Sequence, residues 1–148
     1  MIENNTKSQE EKTTYPPLRN QADAVRYFIQ TMDIEMLYLI LDEKMTLQDF
    51  PRNLFLLKLE RVIADFKANG DTFLNTIEGR CNNCFKDKTG FLFVGNNSRR
   101  YMNLLFDLNN NDIKDLYECS SFKTNFDNSD LTERVWIDKS LNFLDLPF

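Results

Sequence analysis

The stretch from Gly90 to Phe122 constrains the fold more than any other part of the chain. It reads as three consecutive β-strands in a meander: Gly90–Val94, Tyr101–Leu108 and Ile113–Phe122. In the middle strand Met102, Leu104, Phe106 and Leu108 fall on one side, and Tyr101, Asn103 and Asp107 on the other. Successive side chains of a strand point to opposite faces, so this alternation predicts a sheet with one buried face. Asn109-Asn110-Asn111-Asp112 predicts the hairpin turn before the last strand, because Asn and Asp tolerate positive φ. A fourth strand, Thr72–Cys81, precedes the meander, with Phe73 and Ile77 on one face.

The segments upstream predict helices that cover this sheet. Ala22, Val25, Ile29 and Met32, widened by Phe28, follow the spacing of one apolar face in a helix over Asn20–Met32. Asp33 is a natural N-cap for a second, short helix that carries Ile34, Leu37, Tyr38 and Leu41. Met45-Thr46-Leu47 reads as a short strand. A third helix follows, with Asp49 as its cap and Pro51 in its first turn. Its apolar face is Phe55, Leu59, Val62, Ile63 and Phe66, and Lys58, Glu60, Arg61, Asp65 and Lys67 occupy the rest. Gly70 supplies a left-handed stop.

Composition narrows the function classes. The chain of 148 residues contains no His, which removes the commonest general base and every Ser-His or Cys-His pair. Its net charge of −5 disfavours nucleic acid, and the only adjacent basic pair, Arg99-Arg100, is expected in a solvated turn. No apolar run approaches the roughly 20 residues of a membrane span, and no secretory signal opens the chain. Three Cys fit a reducing compartment, so a cytoplasmic location is expected. Residues 1–17, polar and ending in Tyr15-Pro16-Pro17, read as a disordered tail and linker. Residues 18–122 form the domain, and 123–148 a C-terminal extension with a short strand over Arg134–Asp138.

Two helices, a short strand, a long helix and then four antiparallel strands predict an α+β protein. Val25–Met32, Asp33-Ile34-Glu35-Met36-Leu37, Tyr101–Leu108 with its turn, and Asp112–Cys119 carry the pattern. Together they resemble the nuclear transport factor 2-like superfamily, which includes ketosteroid isomerase and the SnoaL-like cyclases. The resemblance implies a cone-like curved antiparallel sheet wrapped around three N-terminal helices. It also implies a site inside the cone, for which Tyr101, Asp107, Asp115, Tyr117 and Glu118 are the candidate catalytic residues. The SnoaL-like cyclases place a His among their site residues, and this chain has none. The scaffold hosts enzymes and binding modules alike. A non-catalytic module for an apolar small molecule or a protein partner, self-associating or not, therefore stands first, with no cofactor. A carboxylate-based isomerase, cyclase or dehydratase and an acidic immunity-type protein with a basic partner are the alternatives.

Cys81-Asn82-Asn83-Cys84 has the spacing of half a zinc site, and Cys81 and Cys84 are the candidate metal or redox residues. In an up-and-down meander Cys119 falls near the far end of its strand. A third thiol is therefore not expected beside the pair.

Overall fold

The computed structural model of the chain describes residues 18–81, 88–124 and 130–139. Among these, helices α1 (Gln21–Gln30), α2 (Ile34–Ile40) and α3 (Arg52–Ala68) lie against a sheet of five antiparallel strands. The strands are β3 (Leu74–Cys81), β4 (Thr89–Gly95), β5 (Tyr101–Asn109), β6 (Asp112–Tyr117) and β7 (Phe122–Thr124), in the order β6-β5-β4-β3-β7. A separate two-stranded hairpin, β1 (Thr46–Leu47) and β2 (Phe50–Pro51), precedes α3. The expected α+β architecture of a curved antiparallel sheet on three helices is present. The expectations for residues 1–17, for Cys84 and for the end of the C-terminal extension, residues 140–148, lie outside the described residues.

Local chemistry sets the helix ends. Asn20 caps α1 by accepting from the Asp23 N–H, and Asp33 caps α2 by accepting from the Met36 N–H. Asp49 does not cap α3: it stands at φ +66° in the tip of the β1–β2 hairpin, and Pro51 is the residue before the first turn. Helix α3 ends in paired bonds, Asp71 N–H to Phe66 O at 3.1 Å and Gly70 N–H to Lys67 O at 3.0 Å, with Gly70 at φ +89°. Arg52, only 8% exposed, donates to the carbonyls of Tyr38 and Leu41 at 2.8 and 2.7 Å. The first residue of α3 thereby satisfies the open carbonyls at the end of α2.

The path from β6 to β7 requires the sheet to curl. Tyr117 and Phe122 end on opposite edges of the sheet. Five fully extended residues reach about 18 Å, whereas four strand spacings in a flat sheet cover about 19 Å before any offset along the strands. Gly79 of β3 and Gly90 of β4 pair directly. A Cβ at Gly79 would lie 2.3 Å from the Lys123 carbonyl oxygen, and one at Gly90 would lie 2.4 Å from that of Leu104. Two backbones thus approach more closely than any side chain permits.

The space between helices and sheet is packed with apolar side chains. Phe55, Phe66, Leu59, Leu74, Phe93 and Met102 are all 0% exposed. The face of the sheet turned away from the helices is covered as well, which the alternation in β5 does not predict. Asn103, assigned by its polarity to the open side, is 1% exposed, and Leu105 on the same side is 0% exposed. The loop after β6 explains this. Asn103 donates to Cys119 O at 3.0 Å and accepts from Cys119 N–H at 2.9 Å, so its amide acts as a backbone partner. The segment Glu133–Val135 runs beside Tyr101 through two backbone bonds and one parallel bridge, without forming the expected strand.

Other expectations are corrected. The strand expected over Ile113–Phe122 stops at Tyr117, and its end is a separate strand at the far edge. Phe73, 43% exposed, lies just before β3, which begins at the buried Leu74 rather than at Thr72. Lys58 is 6% exposed, with its ammonium 4.8 Å from the Phe50 ring and 3.0 Å from Asp138 O. Arg99 and Arg100 are half-buried and ion-paired, Arg99 with Asp130 and Arg100 with Asp65 and Glu133.

Candidate functional site

Three of the five candidate residues meet in one place. Asp115, Tyr117 and Glu118, at the end of β6, line an open groove of about 520 Å³ with Gln48, Asp49, Ser120, Trp136 and Asp138. Gln48 and Asp49 reach it because both have positive φ, 54° and 66°, between the paired residues Leu47 and Phe50. That is the two-residue turn whose twist suits a hairpin.

Gln48 binds this turn to β6. Its N–H donates to Asp115 Oδ1 at 2.9 Å, and its side-chain amide donates to Glu118 Oε1 at 3.0 Å. The Glu118 N–H returns a bond to Gln48 Oε1 at 2.7 Å. The Glu118 carboxylate also accepts from Ile137 N–H at 2.6 Å and from Asp138 N–H at 3.0 Å. With three donors on its two oxygens, Glu118 is the anchor that fixes Trp136 and Asp138 beside β6.

Asp115 has a different environment. Burial pushes its pKa above the usual carboxylate value, opposed by the N–H groups of Gln48 and Leu116 and reinforced by Asp49 and Asp107. Asp107 is its direct cross-strand partner but sits outside the groove, bound to Lys88 at 2.7 Å. Tyr101 lies elsewhere too, in a smaller groove of about 210 Å³ with Asn103, Phe122 and Arg134. The Arg134 guanidinium stacks 3.5 Å from the Trp136 ring centroid and donates to Cys119 O at 2.8 Å. Burial lowers its pKa, against the opposing pull of Glu118.

The groove therefore presents the carboxylates of Asp49, Asp115, Glu118 and Asp138 beside the rings of Tyr117 and Trp136. Asp49 and Asp138 are exposed, so their charges face an approaching partner. Sequence reasoning missed Gln48, Asp49, Trp136 and Asp138. The available signal was the pair Gln48-Asp49 between two short apolar pairs, which marks a hairpin tip as well as a helix cap.

Cys81 is buried and unbridged at the end of β3, and Cys119 is half-buried and unbridged. The strand layout behind the Cys119 expectation changes, since Phe122, three residues after Cys119, is the direct partner of Cys81. Among the described residues no three His, Cys, Asp or Glu side chains converge on a metal position. No helix among them is long and apolar enough to cross a membrane. No protein-family model matches the chain, and neither the curated proteins nor the solved structures contain a significant match.

Proposed function

We propose that the chain is a nuclear transport factor 2-like module that binds a protein and does not turn over a substrate. The acidic groove at the end of β6 is its contact surface, and a basic segment is the partner it suits. One observation carries this reading: the centre of the helix-facing side is filled by fully buried Phe and Leu side chains, whereas the acidic candidates Asp115 and Glu118 line an open groove. Four carboxylates offer charge to steer a cationic segment into the groove beside Tyr117 and Trp136. A second copy of the chain does not suit the groove, since like charges would meet.

Trp136 is the only tryptophan in the chain and lies in the groove, so its fluorescence reports occupancy. Titration with a Lys/Arg-rich peptide should give a saturable change that weakens as salt is raised. The exposed pair Asp49→Asn and Asp138→Asn should weaken it several-fold. A flat titration, or the same curve for the double variant, would contradict the reading. A second reading, proton transfer by Asp115, is favoured by the burial that raises its pKa beside Tyr117.

A further inference from the structure

We propose that the cleft between α1 and strands β4 and β5, on the helix side of the sheet, binds a small apolar carboxylate. This goes beyond the protein-binding reading and concerns a different face of the molecule. The cleft has a volume of about 170 Å³, with Ala22 and Arg26 of α1 and Phe91, Phe106 and Leu108 of the sheet in its lining beside the polar residues Asn20, Asp23, Thr89 and Asn111. Phe91 and Phe106 meet edge to face at 5.3 Å between centroids, which gives the cleft a rigid aromatic floor.

Arg26 supplies the polar element. Its guanidinium carbon lies 4.9 Å from the Phe91 ring centroid, and no oxygen of the described residues accepts a hydrogen bond from it. The other buried or half-buried arginines among the described residues all donate to oxygens. Arg52 serves the carbonyls of α2, Arg99 and Arg100 serve carboxylates, and Arg134 serves Cys119 O. The carboxylate nearest in sequence, Asp23, lines the same cleft but faces Arg19 at 3.7 Å. Asp107 is held by Lys88. Arg26 is thus a half-buried cation against an apolar cleft, with its planar donors open to an anion.

Size restricts the ligand. An apolar cavity of roughly 150 Å³ admits benzene, and sites for drug-sized molecules run to roughly 300–1,000 Å³. The cleft therefore suits a single ring or a compact branched chain carrying one carboxylate, with its body on Phe91 and Phe106 and its oxygens on Arg26.

Benzoate is the probe, titrated into the full chain and followed by amide chemical shifts, with benzamide as the neutral isostere. A ligand of this size should saturate on the order of 1–10 mM. Saturable shifts should centre on Ala22, Arg26, Phe91 and Phe106, be absent with benzamide, and weaken about tenfold or more in Arg26→Gln. Ala22→Leu, which fills the cleft and keeps the cation, should abolish them. No saturable shift, equal shifts from benzamide, or binding that survives either folded variant would overturn the proposal and leave Arg26 as a ring-stacked cation only.

Discussion

Two neighbouring carboxylates of β6 behave differently because their donors differ. Glu118 is tied by three N–H groups, which hold the Ile137–Asp138 backbone in place. Asp115 is partly desolvated, and the charges of Asp49 and Asp107 add to the burial that raises its pKa. Between its unfolded value, near 3.9, and its higher folded value, the folded chain binds more protons at Asp115 than the unfolded chain does. Its contribution to stability is therefore greatest in acid and falls as pH rises through that window. Asp115→Asn keeps an oxygen for the Gln48 N–H and removes the titration. Thermal melts should show the variant gaining on the wild type from pH 3.5 to pH 7, by less than about 1 kcal/mol because the group is half-exposed. A variant that loses ground as pH rises would show that the charged form is the stabilised one.

At the scale of elements, the decisive feature is the close backbone approach at Gly79 and Gly90, which pair between β3 and β4. Gly79→Ala places a methyl group against the backbone of β7 and the Phe122 ring. It should destabilise by about 1–3 kcal/mol, measured by urea unfolding. An unchanged midpoint would mean that β7 does not close on β3 as described. Much at this scale was legible in the sequence. The apolar face of α3, the Asp33 cap, the Gly70 stop and the Asn110-Asn111 turn all follow from local rules, and both Asn residues adopt positive φ. What escaped depends on distant partners. Asn103 reads as exposed because it is polar, yet its amide is satisfied by the backbone of Cys119, sixteen residues on. Leu105 was the visible clue, an apolar residue on the side assigned to water. Lys58 reads as a surface charge, but the Asp138 carbonyl, eighty residues on, accepts from it.

Across the whole molecule, function is placed by what each face of the sheet has left to offer. The centre of the helix-facing side is filled, and only the small cleft beside Arg26 remains open there among the grooves described above. The opposite side is crossed by the loop after β6, and residues 136–138, tied to α3 through Lys58 and the core residue Ile137, meet the β1–β2 hairpin to form the acidic groove. The order of elements made the layout legible, but this groove joins residues 48–49, 115–120 and 136–138, and no local pattern links those three stretches. The candidates from β6 were found because they share a strand. Tyr101 and Asp107, chosen with them, are placed elsewhere by the same sheet. The most direct measurement is amide chemical-shift mapping of the full chain during titration with a Lys/Arg-rich peptide. Salt-sensitive shifts are expected at Gln48, Asp49, Asp115–Glu118 and Trp136, with the core strands β4 and β5 unmoved. Shifts concentrated on the helix-facing residues Phe93, Met102 and Leu104, or none at all, would contradict it.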